Sequence, residues 1–279
     1  MKLSVMSYTI ARTGWFKENQ AEGLKKICKL TRDLNLDGID WVTTYGIDPH
    51  EIRKVMDDNG LKTVCYTNPA SGLNAATCAE RCAGVDTARE TIETAVALGT
   101  DKVMLVTPGK RDVPRDISRK NYIRGLQECA GLARQAGITI TIENFPGADS
   151  PFVISSDVQE AFREVPGLKL TYDNGNIALG GEDPAVSFAR CADRVVHAHF
   201  KDWDRLPAGE GREALDGRCY ASALIGEGII DHKSCLAAMK AAGYAGYINI
   251  EYENNKYPAD EATGRAVKYL RGLMQELDK

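Results

Sequence analysis

The chain of 279 residues has no Cys-x-x-Cys pair, no membrane-length apolar run and only four histidines. Each shortage removes a class of function. The eight cysteines, at positions 28, 65, 78, 82, 129, 191, 219 and 235, lack the spacing of a thiolate zinc site or a redox dithiol. They read as free thiols of a reducing compartment. Basic residues do not outnumber acidic ones: 35 Lys and Arg stand against 39 Asp and Glu, a net charge of −4. With no basic patch, binding of nucleic acid through its phosphates is not expected. No segment is long and apolar enough for a membrane span, and the run from Met1 to Tyr8 is too short for a signal peptide. A cytoplasmic protein is therefore expected, with neither membrane nor nucleic acid as partner. There is also no linker, low-complexity tract or short-period repeat, so residues 1–279 are expected to form one domain.

What is present is an alternation. Short apolar runs at 3–9, 38–42, 61–66, 102–107, 138–143, 168–173, 195–200 and 247–251 read as strands. Helical spacing follows at 19–34, 48–59, 79–98, 117–136, 155–164, 184–191, 232–242 and 260–276. Glycine after the helical runs, at Gly60, Gly99 and Gly137, supplies stop signals. Eight strands each followed by a helix predict a parallel α/β architecture, and the length suits a single (β/α)8 barrel. A doubly wound open sheet is the alternative. It loses support because the first strand lacks a Gly-x-Gly-x-x-Gly turn. The connection 203–226 is the longest, with the character of a lid or a subunit contact.

Side chains alternate along a strand, and that parity locates the chemistry. Val196, Ala198 and Phe200 share one face of the seventh strand, while His197 and His199 share the other. In the fifth strand Thr139, Thr141 and Glu143 oppose three isoleucines. In the sixth Lys169, Thr171 and Asp173 oppose Leu168, Leu170 and Tyr172. In the eighth Asn249 and Glu251 oppose Ile248, Ile250 and Tyr252. With the apolar faces against the helices, four consecutive strands aim Glu143, Asp173, His199 and Glu251 into the barrel mouth. Barrel active sites are built at that end. Three converging carboxylates repel unless a cation neutralises them. Three oxygen ligands and one imidazole suit one divalent ion, Mn2+ first, with Mg2+, Co2+ and Zn2+ as alternatives.

The segments Ile142-Glu143-Asn144, Tyr172-Asp173-Asn174-Gly175-Asn176, His197-Ala198-His199-Phe200-Lys201-Asp202 and Ile250-Glu251-Tyr252 carry a resemblance. Together they resemble the sugar phosphate isomerase/epimerase group of the xylose isomerase-like TIM barrel superfamily, which includes ketose 3-epimerases and inosose dehydratases. The resemblance covers essentially the whole chain in order of elements. It implies that Glu143, Asp173, His199 and Glu251 bind one divalent metal. It also implies that Glu143 and Glu251 face opposite sides of a substrate carbon, one removing a proton and the other returning one. The expected activity is isomerisation or epimerisation of a sugar or sugar phosphate through an enediolate. A lyase acting on a keto-sugar, keto-inositol or 3-keto-glycoside shares the first step, and Lys201, His197 or Glu227 would supply its general acid.

Around the metal set, Lys201 is in phase with His199, and Arg205 lies six residues beyond it, where ketose epimerase relatives often carry an arginine. Asn176 occupies a position where ketose 3-epimerases often have histidine, whereas some phosphopentose epimerases share the Asp-x-Gly-Asn pattern. His197 is expected as a hydrogen-bonded inner-layer residue. Tyr8, Trp15, Phe16, Tyr66 and Trp203 fall near the rim as a candidate apolar wall for a sugar, Trp15 foremost. Relatives of this type are usually oligomers, so a homo-oligomer is admitted. A zinc endonuclease on the same barrel is disfavoured by the four histidines. A non-catalytic sugar-binding barrel is disfavoured by the complete ligand set.

Overall fold

A computed structural model describes every residue except Ala70, and of Glu18 the backbone alone. In chain order the first half comprises β1 (Lys2–Met6), α1 (Ser7–Ala11), α2 (Trp15–Glu18), α3 (Gln20–Asp33), β2 (Gly38–Val42), α4 (Pro49–Asp58), β3 (Lys62–Pro69), α5 (Cys78–Leu98), β4 (Lys102–Val106) and α6 (Arg115–Ala136). The second half comprises β5 (Thr139–Glu143), α7 (Ser155–Glu164), β6 (Lys169–Asp173), α8 (Asn174–Leu179), α9 (Pro184–Cys191), β7 (Val195–Phe200), β8 (Asp202–Leu206), β9 (Arg212–Glu213), β10 (Cys219–Ala223), α10 (His232–Ala241), β11 (Tyr247–Ile250) and α11 (Ala259–Leu277). Eight of the strands, all parallel, close a barrel in the order β1-β11-β7-β6-β5-β4-β3-β2. The expected (β/α)8 architecture is the observed one.

Local chemistry explains most boundaries. Asp48 caps α4 by accepting from the N–H groups of His50 and Glu51, with Pro49 in the first turn. Thr77 and Glu80 form a reciprocal capping box on α5. Gly99 and Gly137 end α5 and α6 in left-handed conformation, φ 75° and 69°. The outward strand residues Ile39, Ile142, Leu170, Phe200, Ile248 and Ile250 share one continuous core with Leu24, Ile92, Leu126, Leu236 and Leu270 of the helices. The inward residues are polar and buried, and they bond to one another. Ser4 Oγ donates to Asn249 Oδ1 at 2.9 Å, and the Thr141 and Thr171 hydroxyls lie 2.7 Å apart.

The structure corrects the sequence reading in three places. The first strand ends at Met6, and residues 7–11 are helical. Pairing with both neighbours stops at Val5 and Met6, after which side chains replace the ladder. The Ser7 hydroxyl accepts from Val42 N–H, and the Thr9 hydroxyl accepts from Tyr252 N–H. Asn174–Leu179 forms a short helix directly after β6. Residues 203–226 are a three-stranded antiparallel sheet, ordered β8-β10-β9, and not an open loop. Its own small core is Leu179, Trp203, Ala214, Tyr220 and Ile230. Asp202, fully buried, anchors this sheet to the barrel. Its carboxylate accepts from the N–H groups of Trp203, Gly226, Gly228 and Ile230 at 2.9 to 3.0 Å.

Candidate metal centre

Glu143 ends β5, Asp173 ends β6, His199 lies near the end of β7, and Glu251 follows β11. Register sets Asp173 beside His199 and His199 beside Asn249. One donor atom from each of Glu143, Asp173, His199 and Glu251 falls within 4.8 Å of the others, and all four residues are buried. The strand ends are held in place by asparagine side chains that act as extra rungs. Asn144 Nδ2 donates to Asp173 O at 2.7 Å, and its Oδ1 accepts from Asp173 N at 2.9 Å. Asn174 Oδ1 accepts from Lys201 N at 3.1 Å. Gly175 must be glycine, because a Cβ there would lie 2.6 Å from Lys201 Cγ and 2.9 Å from Trp203 Nε1.

The charges are tightly coupled. Lys201 Nζ donates to Glu251 Oε1 at 2.8 Å and lies 3.4 Å from Asp173 Oδ2. Burial alone would lower the Lys201 pKa, but Asp173 and Glu251 hold it well above the ordinary value. Asp173 is pushed well up by burial, against the pull of Lys201, with Glu143 and Glu251 adding to the rise. His199 Nδ1 lies 2.7 Å from Glu143 Oε1 and 3.6 Å from Glu251 Oε2. Burial opposes its charge, yet hydrogen bonds to Asp40 and Glu143 keep its pKa well above 6.5.

Two observations test the set against a divalent cation. Asp173 Oδ2 and Glu251 Oε2 are buried without a hydrogen-bond partner, with Lys201 Nζ 3.4 Å from the first and His199 Nδ1 3.6 Å from the second. Three carboxylates there share one ammonium and one imidazole, and oxygens that make no hydrogen bond keep part of their desolvation cost, so a further cation between them is favourable. The donors are three carboxylates and one imidazole with no thiolate, which fits an oxygen-preferring divalent ion.

Asp40 was not singled out by the sequence. It ends one layer deeper, on β2, where its Oδ2 accepts from His197 Nε2 at 2.8 Å and His199 Nε2 at 3.0 Å. Burial raises its pKa, but these two hydrogen bonds outweigh that and bring it to about 2. An ionised Asp40 holds a proton of His199 on Nε2, so Nδ1, directed at Glu143 and Glu251, is the nitrogen that would give up its proton to a bound metal. The only sequence signal was an acid on the polar face of a short strand. His197 is the expected inner-layer residue, fully buried on Asp40.

The remaining candidates scatter. Asn176, fully buried in α8, has neither its amide nitrogen nor its amide oxygen bonded, while its backbone N–H is taken by Asp173 Oδ1 at 2.6 Å. Arg205 is exposed on β8 and enters no ion pair among the described residues. Trp15 is half-buried in α2 with Lys26 Nζ 5.9 Å from its ring. Phe16 is a core residue, stacked on Tyr45 at 4.6 Å, and not part of a wall. Tyr8 is exposed beside Arg12. Trp203 is buried between Lys201 Nζ at 6.0 Å and the Arg212 guanidinium at 5.9 Å. Glu227 is bound at the surface by Lys256 and Tyr257.

The family described as xylose isomerase-like TIM barrel matches residues 28–273. An inosose dehydratase from Lacticaseibacillus casei is 30% identical over 159 residues, 54% of this chain and 53% of that protein. The chain thus spans about half the length of the curated relatives it matches. A solved L-ribulose 3-epimerase aligns with a TM-score of 0.79 at 17% identity, covering 99% of this chain and 97% of its own. A probable 3-DHS dehydratase from Bacillus anthracis aligns with a TM-score of 0.76 at 16% identity, covering 97% and 99%. At such identities the structural likeness shows the fold.

Proposed function

This chain belongs to the xylose isomerase-like TIM barrel family, and on that premise we propose that it is a metal-dependent isomerase or epimerase of a keto-sugar or sugar phosphate. The observation that carries the reading is the buried convergence of Glu143, Asp173, His199 and Glu251 with two carboxylate oxygens that make no hydrogen bond. These four residues would hold one divalent ion, Mn2+ foremost. When bound, the ion supplies a Lewis acid for the substrate carbonyl and its neighbouring hydroxyl. Glu143 and Glu251 approach from strands separated by β6 and β7, so one carboxylate removes the proton beside the carbonyl and the other returns it. Lys201 holds Glu251 in place. The free amide of Asn176 offers both a donor and an acceptor to a substrate hydroxyl.

A second reading is a lyase that begins with the same proton abstraction and expels a β-hydroxyl. The relative named inosose dehydratase supports it, as does the Lys201 ammonium beside Glu251, placed to donate a proton to a leaving oxygen. Proton NMR in D2O with Mg2+-loaded protein separates the two. The panel comprises ketoses, ketose phosphates, keto-inositols and 3-keto-glucosides. Deuterium entering beside the carbonyl with a new stereoisomer supports the epimerase, and an enone signal with loss of a substituent supports the lyase. No exchange with any of them would overturn the proton-transfer reading.

A further inference from the structure

Beside the metal centre lies a cleft. It has a volume of about 960 Å³, and none of the four proposed ligands lines it. One wall is the loop from Pro108 to Arg115 after β4. The second is the loop from Phe145 to Ser150 after β5, and the third is β9 with Gly211. Because β8, β9 and β10 rise from the end of β7, β9 must reach past β6 to meet these loops. Two of its lining residues stand close to the centre in the chain or through one side chain. Phe145 stands two residues after Glu143, and Arg212 lies over Trp203, whose other neighbour is Lys201. The walls are in close contact: a Cβ on Gly109 would lie 2.1 Å from Asp149 O.

Charge decides what the cleft takes. Arg115 is already committed, to Asp157 at 2.6 Å and to Ser150 O at 2.7 Å. Arg111, Arg212, Asp112, Asp149 and Glu213 enter no ion pair among the described residues. Two free cations against three free anions disfavour a phosphate, which the carboxylates would repel. A neutral polyhydroxylated ring uses both kinds of group, since each hydroxyl donates and accepts. Phe145, half-buried at the mouth, offers an apolar face to such a ring.

We infer that the cleft is a subsite for a neutral glycosyl unit, so that the substrate is a keto-glycoside whose second sugar ring lies between Phe145, Arg111 and Arg212. The inference rests on the proposed proton-transfer reading for its reacting ring only. The volume is at the upper end of small-molecule sites, roughly 300–1,000 Å³, and lies outside the reacting centre. Binding energy from a non-reacting sugar there is available to orient the reacting one.

The test has two arms on Mg2+-loaded protein. Saturation-transfer NMR with cellobiose, which carries no keto group, reads the subsite without catalysis. Saturation of the cellobiose protons is expected, lost in both Phe145→Ala and Arg111→Ala; glucose 6-phosphate is not expected to compete. The second arm compares 3-keto-cellobiose with 3-ketoglucose. The disaccharide is expected to have a kcat/KM about tenfold higher, which is about 1.4 kcal/mol. Either variant removes that advantage and leaves the monosaccharide rate unchanged. Arg111 is exposed and unpaired, so its variant keeps the test valid if Phe145→Ala fails to fold. No cellobiose signal, or displacement of cellobiose by glucose 6-phosphate, overturns the subsite. A cellobiose signal that depends on Phe145, with no turnover of any ketose, overturns the proton-transfer reading and leaves the subsite standing.

Discussion

Asp40 and Glu251 illustrate two ways a carboxylate serves this centre. Asp40 touches no proposed substrate position; it holds two histidine rings by their Nε2 atoms. Asp40→Asn keeps the shape but loses the charge that fixes the His199 tautomer. Metal affinity is then expected to fall about 10–100-fold, by isothermal titration, with the circular dichroism spectrum unchanged. Unaltered affinity would remove Asp40 from the design of the site. Glu251 is expected to do chemistry. Glu251→Gln retains an oxygen ligand and the contact to Lys201 but no base. Metal binding should persist while solvent deuterium exchange into substrate drops at least about 100-fold. Exchange at the normal rate would place the base elsewhere.

At the scale of elements, the antiparallel sheet over the mouth depends on one side chain. Four backbone N–H groups converge on Asp202, and a fifth neighbour, His232 Nδ1, is 3.9 Å away. Replacing Asp202 by Ala leaves those donors without an acceptor, and the cost is expected to be at least about 3 kcal/mol. Denaturant titration measures it. Limited proteolysis should show new cleavage between residues 203 and 228 before the barrel opens. Global unfolding without prior local cleavage would mean that the sheet and the barrel melt as one unit. Trp203 stands between the sheet and the centre, with Lys201 Nζ 6.0 Å and the Arg212 guanidinium 5.9 Å from its ring.

For the whole molecule, the metal and pH act on stability through separate groups. A divalent ion binding the folded state at a hundred times its Kd adds about 2.7 kcal/mol, which for a chain of this size raises the Tm by roughly 5 °C or more. Addition of EDTA should reverse it, and an unchanged Tm would remove the metal assignment. His232 is buried, and burial holds its pKa below the ordinary 6.5. Below about pH 6.5 the unfolded chain takes up a proton that the folded chain does not, so stability is full above that pH and falls as pH drops toward the folded value. The difference in unfolding free energy between wild type and His232→Gln should therefore shrink as pH falls from 7 to 5, by up to about 1.4 kcal/mol per pH unit. Parallel curves would exclude His232 as the titrating group.

Strand parity is a property of neighbours in the chain, and for that reason the sequence by itself determined the barrel and the inward aim of Glu143, Asp173, His199 and Glu251. Helix stops at Gly99 and Gly137 were legible for the same local reason. Partnership across the barrel is not local. Asp40 precedes His197 by 157 residues, and the two meet only because closure of the sheet sets β2 across the interior from β7. The sheet at 203–226 was equally hidden, since its strands are short and its core is borrowed from Leu179 and Ile230. The cleft between the β4 and β5 loops and β9 belongs to no segment of the chain. It exists because barrel closure and the Asp202 anchor bring three distant loops to one edge of the mouth, a decision that tertiary packing makes and residue order cannot encode.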